Sequence, residues 1–257
     1  MENALLIGLS RQMALQRELE VVANNVANIN TTGYKADNAV FQEFLMPGAR
    51  HDQFQGSDRR MSYTHDRATW HDFSGGPLQK TGSPLDVAID GDAFLVVQTQ
   101  RGERYTRNGS FQISGTGQLV TNDGNVVLGE GGPITFQNTD RDITINGDGS
   151  ITVREGINTK DSSRGKLRLA RFEQKSQLQK DGAALFRAPD GVTAQPLTAS
   201  NRVRVVQGAI EQSNVRPVVE MARMIEVSRT YSQIAGLLQQ HGDMRRNSID
   251  KLAEVPA

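Results

Sequence analysis

The 257-residue chain balances 29 Lys+Arg against 29 Asp+Glu, so no overall field draws it to nucleic acid or to anionic lipid. It has no cysteine, which excludes a disulfide framework, a thiolate nucleophile and Cys-built zinc sites. One Trp, four Tyr and nine Phe are too few for a large aromatic pocket, and the length suits one or two compact domains.

The first segment, 1–35, reads as a helix. No proline precedes Pro47, and Leu15, Leu19, Val22, Val26 and Ile29 follow steps of four and three, the narrow seam of a coiled coil. Leu6, Leu9 and Met13 widen the apolar face at its start. The helix is expected to stop near Asn30-Thr31-Thr32-Gly33, with Gly33 in the left-handed position after the last turn. Asn24, Asn25 and Asn28 interrupt it with amides that compete for backbone hydrogen bonds. Two explanations stand: a fraying end, or amides that fix register with a partner helix.

Residues 36–74 are polar, hold three of the four histidines, and read as an extended linker. Residues 75–208 read as an all-β domain, because most of the glycines fall there and short apolar runs recur between turns. Its strands include Leu85 to Ile89, Phe94 to Thr99, Lys166 to Phe172 and Val203 to Gln207. Asn108-Gly109, Asp123-Gly124 and Asn146-Gly147-Asp148-Gly149 are the strongest hairpin signs. The last segment, 209–257, carries a second seam in Met224, Val227, Tyr231, Ile234 and Leu238. Ser213 or Asn214 can cap that helix, Pro217 fits its first turn, and Glu220 suits its positive end. The fold expected is therefore α+β, with terminal helices pairing as a coiled coil around an inserted domain of short antiparallel strands. Each seam is too short to be stable alone in water, so the helices need each other or a neighbour. Arg223 and Arg229 are placed to form ion pairs between subunits.

Chemical motifs are weak by comparison. Ser163 and Lys166 share the spacing of penicillin-binding enzymes, but at a strand instead of a helix start. Asp86 and Asp90 lie on one strand's polar face, which favours solvated carboxylates over a glycosidase pair. His65-Asp66 and His71-Asp72 lack a defined metal-ligand face. No catalytic, cofactor or metal site is assigned. The chain has no run of 18 apolar residues to span a membrane, and its first residues lack the basic start and apolar core of a cleaved signal.

The run Asn24-Asn25-Val26-Ala27-Asn28 to Asn30-Thr31-Thr32-Gly33-Tyr34-Lys35 resembles the N-terminal signature of bacterial flagellar rod and hook proteins. Gly208, Ser213, Asn214, Glu220 and Met221, in the run from Gln207 to Tyr231, are similar to that family's C-terminal signature. Leu85 to Gly91 and Arg104 to Phe111 resemble its shared β domain. The resemblance implies a structural subunit of the basal-body rod that polymerises through its terminal helices into an axial shaft. It also implies copies of itself and other rod proteins as partners, in the periplasm. Export would run through the flagellar type III apparatus without a cleaved signal, and no cofactor, nucleic acid or membrane insertion is implied. The opening Met1 to Leu5 and Phe41 to Pro47 look more like the proximal rod type, with the distal type as the alternative. A cell-wall-acting enzyme and an adhesin-like β domain on a coiled coil are the competing classes.

Overall fold

The structure, a computed structural model, describes residues 2–47, 60–156, 161–182, 184–196 and 203–253. They divide into two compact units. One comprises residues 1–27, 37–72 and 216–257, and the other residues 28–36 and 73–215.

The first unit holds both long helices, α1 (Glu2–Ala27) and α2 (Pro217–Ala253), and a two-stranded sheet of β1 (Asp37–Pro47) and β2 (Arg60–His71). At 1.5 Å per residue the helices are about 39 Å and about 56 Å long. α1 ends before Ile29, which therefore leaves the helical seam and falls in the following turn. Gly33 does adopt the left-handed conformation, at φ +68°, but six residues beyond the helix. It serves a turn instead of a helix cap. The asparagine-rich stretch explains the early stop: Thr31 N–H and Thr31 Oγ1 donate to the carbonyl and side-chain oxygen of Asn28, bonds a continuing helix would not make.

Residues 36–74 are corrected more deeply. Instead of an irregular linker, they contain an antiparallel pair with Asp37 opposite His71, Asn38 opposite Trp70 and Pro47 opposite Arg60. Val40, Phe41, Phe44, Tyr63, Thr64 and Trp70 supply the β-branched and aromatic content of strands. Polarity misleads here because a two-stranded ribbon has one face against α1 and the other open. Arg17 donates to Thr69 Oγ1 at 3.3 Å on the covered face. Val40 and Trp70 are exposed.

The second unit is antiparallel β, as its turns suggest. The labelled strands are β3 (Leu78–Lys80), β4 (Val87–Asp90), β5 (Phe94–Thr99), β6 (Gly102–Thr106), β7 (Phe111–Ile113), β8 (Leu119–Thr121) and β9 (Val126–Gly129). Its largest sheet runs, in spatial order, Gln179–Lys180, Leu185–Arg187, β6, β5, β9, β8, β7. β5 is the centre. Leu95 and Val97 point into one apolar cluster with Leu119, Val127, Ile151 and Val205, while Phe94 and Val96 point into a second with Tyr105, Phe172 and Phe186. Both faces of the strand are covered, so its sequence is a continuous apolar run and not an alternation. In β4, Val87, Ala88 and Ile89 are likewise all buried, and the expected polar face keeps only Asp86, partly buried, and Asp90, exposed.

Two expected hairpin signs are confirmed and one is not. Asp123-Gly124 closes β8 onto β9, and Asn146 to Gly149 turns strand Asp140–Ile145 into strand Ser150–Glu155. Asn108-Gly109 makes no tight turn. A Cβ on Gly109 would stand 1.7 Å from the Val87 carbonyl oxygen, so glycine is needed there for close approach of two backbones. The single strand expected over Lys166 to Phe172 is two, Asp161–Lys166 and Leu169–Arg171. The final helix begins at Pro217, the residue expected in its first turn, and at the start of the 209–257 segment Ala209–Glu211 pairs with β3 as a strand.

Candidate functional site

In the first unit, the two apolar seams lie on the covered sides of their helices. Leu15, Val22 and Val227 are buried, and Leu19, Val26, Met224, Tyr231, Ile234 and Leu238 are partly buried. A Cβ on Gly8 would stand 2.6 Å from Leu238 Cδ2, so the first turns of α1 meet α2 closely. Arg223 Nη2 pairs with Glu18 Oε1 at 2.8 Å within the chain. Of the two arginines expected to pair between subunits, Arg223 thus has a partner on its own chain, and Arg229 is exposed. Other faces of the same helices stay apolar and open: Leu6, Leu9 and Met13 on α1, and Val218, Met221, Ile225, Leu237, Met244 and Ile249 on α2. Val218 is 81% exposed and Ile225 69%.

The asparagine strip divides by role. Asn24 is exposed, whereas Asn25 is 1% exposed and brackets the start of β1. Its Oδ1 accepts from Asp37 N–H at 2.9 Å and its Nδ2 donates to Asp37 O at 2.8 Å, imitating a strand neighbour. Nδ2 also reaches Glu220 Oε2, on the first turn of α2, at 3.3 Å. The amide thus binds a strand root first and the partner helix second. Asp37 Oδ1 in turn meets His71 Nδ1 at 2.7 Å. The side chains of His65 and Asp66 lie outside the described residues.

In the second unit several of the remaining signature residues meet in one buried cluster. Glu211, 1% exposed, accepts Lys35 Nζ at 2.5 Å and Gly76 N–H at 2.9 Å on Oε1, and faces Arg107 Nη1 at 3.4 Å through Oε2. Lys35 is fully buried and also donates to Ser74 O at 2.6 Å. Arg107 donates to the carbonyls of Ile89 and Gly91, and its face lies 5.2 Å from the Phe94 ring centroid. Burial pushes its guanidinium down from the ordinary arginine range, against the opposing pull of Glu211 and Asp92.

Backbone bonds complete the cluster. Gly33 N–H donates to Glu211 O, Asn214 N–H to Tyr34 O, and Ala36 N–H to Asn214 Oδ1. A Cβ on Gly33 would stand 2.3 Å from Asn108 N, so both φ and space demand glycine. Thr32 Oγ1 donates to Asn108 Oδ1, Asn30 is exposed in the turn, and Lys180 Nζ sits 3.7 Å over the Tyr34 ring. Neither Ser213 nor Asn214 caps α2: Ser213 Oγ accepts from Val215 N–H and Asn214 serves the cluster. Gly208, at φ +72°, turns the chain between two strands and accepts from Thr81 and Gly82.

Sequence reasoning quoted Lys35 and Glu211 inside the two signatures but did not single them out. Nothing local pairs residues 176 positions apart. The clue was composition: a lysine and a glutamate beside apolar, glycine-bearing runs. Arg107 likewise lay in the quoted run Arg104 to Phe111 without being singled out, and the Asp37–His71 pair was missed.

The residues weighed for chemistry have other partners. Ser110 Oγ donates to Asp86, Asp90 is exposed at the end of β4, and Lys166 pairs with Glu130 on strand Asp161–Lys166, which also carries Ser163. Among the described residues, no group of three His, Asp or Glu side chains could hold a metal, and no helix is long and apolar enough to cross a membrane.

Three family models match the chain in order. They are flagella basal body rod protein over residues 5–35, flagellar hook protein FlgE/F/G D1 domain over 88–153, and flagellar basal body rod FlgEFG protein C-terminal over 206–251. Among similar proteins, the flagellar basal-body rod protein FlgF of Caulobacter vibrioides is 38% identical, covering 99% of this chain and 100% of that one. FlgF of Mesorhizobium japonicum is 32% identical over 98% of each. FlgG of Buchnera aphidicola subsp. Baizongia pistaciae is 34% identical over 85% of this chain and 87% of its own.

Proposed function

The chain belongs to the flagellar basal-body rod protein family, and on that premise we propose a structural subunit that polymerises through its terminal helices. It is a component of the flagellar rod and most like the FlgF branch. Its place is the proximal rod; the distal position is less supported, because the FlgG relatives cover a smaller share of the chain.

One observation carries the assembly reading. Each terminal helix covers one apolar seam within the chain and leaves further apolar side chains open, Leu6, Leu9 and Met13 on α1 and Met221 and Ile225 on α2. An isolated helix surface of this kind is unfavourable in water and becomes favourable when neighbouring copies cover it, at about 25 cal/mol per Å² of apolar area. The covered seams pair as a coiled coil, and the open faces meet other subunits in a heterologous contact that does not close on itself. A helical shaft that transmits torque follows. Passage through the type III export apparatus without a cleaved signal fits helices that gain their full stability only on assembly.

Two measurements test the reading. Mass spectrometry of purified hook–basal bodies should find the chain, and cells with blocked flagellar export should retain it in the cytoplasm. Leu19→Asp and Ile234→Asp should each abolish incorporation while the β unit keeps its native spectrum. Normal incorporation of either variant would overturn assembly through the helical seam.

A further inference from the structure

The chain passes between the two units at 27/28, 36/37, 72/73 and 215/216. Within the β unit, residues near these points are not held independently. Lys35 and Ala36 precede the second passage, Ser74 and Gly76 follow the third, and Glu211 and Asn214 precede the fourth. All of them join one hydrogen-bonded group centred on the side chains of Glu211 and Asn214. Gly33, in the segment opened by the first passage, donates to Glu211 O at 2.8 Å.

We infer that the buried carboxylate of Glu211 is a positioning group that gathers on the β unit the roots of the passages leading to the helices and the hairpin. One carboxylate can do this because its two oxygens accept from several directions at once. Oε1 takes the Lys35 ammonium and Gly76 N–H, and Oε2 faces Arg107. An apolar plug would fill the same space and adds little or no instability by itself, but it has no directionality. The ion group holds these segments in one arrangement because every alternative leaves a buried charge unmatched. Arg107 is anchored independently by the Ile89 and Gly91 carbonyls, so it acts as a fixed post for the carboxylate.

Amide hydrogen exchange on the full-length free chain tests this, with Glu211→Gln and the double replacement Lys35→Met/Glu211→Leu. The reporters are Gly33, Ala36, Gly76 and Asn214, whose N–H groups donate into the cluster; the controls are Val96 and Leu119, which donate to the carbonyls of Arg168 and Ile134 away from it. The reporters should exchange about tenfold faster or more while the controls change less than about twofold, the pattern of a local opening. Equal acceleration of reporters and controls would mean that Glu211 only stabilises the fold, and unchanged reporters would mean that it positions nothing. Either overturns the inference. Should both variants fail to fold, Asn214→Ala gives the second arm: acceleration at Ala36 and the segment around Ser74 alone supports the shared cluster, and none refutes it. Because the readout uses the free chain, its failure leaves the rod assignment standing.

Discussion

The two units solve the problem of apolar surface in opposite ways. The β unit buries its large side chains around β5 from both faces, and Leu78 and Ile113 are its only exposed large apolar residues among those described. The helical unit buries few, Ala14, Leu15, Val21, Val22 and Val227, and leaves Leu6, Leu9, Met13, Val218, Met221, Ile225 and others open. Polar anchoring differs too. In the β unit fully buried charges meet one another, as in Lys35–Glu211, whereas the most buried polar side chain described in the helical unit is an amide, Asn25, copying a strand's hydrogen bonds. The contrast teaches that the β unit closes its own apolar surface, whereas the helical unit keeps apolar area open to further burial.

The largest expected effect lies in the finished unit. Phe94 is 1% exposed and meets Phe73, Phe172 and Phe186 edge-on, at centroid distances of 5.7, 5.9 and 6.0 Å. Phe94→Ala should cost about 3–5 kcal/mol in denaturant unfolding of the free chain. Leu15→Ala on α1 should cost no more than about 2–3 kcal/mol, at the low end for a leucine, because the helical unit buries few other large side chains to hold a cavity open. Equal losses would remove the contrast between the units.

An intermediate effect is expected at Gly33. Its φ of +68° and the 2.3 Å approach of Asn108 N make Gly33→Ala destabilising by about 1–3 kcal/mol, read as a lower denaturation midpoint of the β unit. Gly115, which has open space around it, is the internal control: Gly115→Ala should change the midpoint little.

The smallest effect is electrostatic and belongs to the β unit's outlying sheet. Arg164 Nη2 meets Asp140 Oδ1 at 2.6 Å and Glu155 Oε1 at 2.7 Å, and Arg164's hydrogen bonding holds the Asp140 carboxyl below the usual range. A depressed native pKa stabilises the fold above the unfolded value and loses that contribution as pH falls through the native one. Arg164→Leu should therefore lower the melting temperature at pH 7, and the difference from the parent chain should shrink progressively below about pH 4. A difference independent of pH would show that Arg164 acts through packing alone.

Much was legible in the sequence because it is local. The helical spacing of Leu15, Leu19, Val22 and Val26, Phe94 to Thr99 as a strand, and the Asp123-Gly124 turn all follow from side-chain periodicity and backbone preference within a few residues. The two terminal signatures also marked the residues of the β-unit cluster, without showing why Lys35 and Glu211 were among them.

What tertiary structure decided is everything that depends on a distant partner. The polar stretch between α1 and the β unit became a hairpin because Asp37 to Pro47 found Arg60 to His71, a pairing no local pattern states. β4, paired along one edge with Arg204–Gln207, buries Val87, Ala88 and Ile89 alike and exposes only Asp90 at its end. Ile29 left the seam, and Ser213 and Asn214 left the helix cap, because their segments were claimed by turns and bonds inside the β unit. The physical reason is the same each time. Period and propensity are set by the chain's own geometry over one or two turns, whereas burial of a charge or a register between strands is fixed only when remote segments meet and satisfy each other.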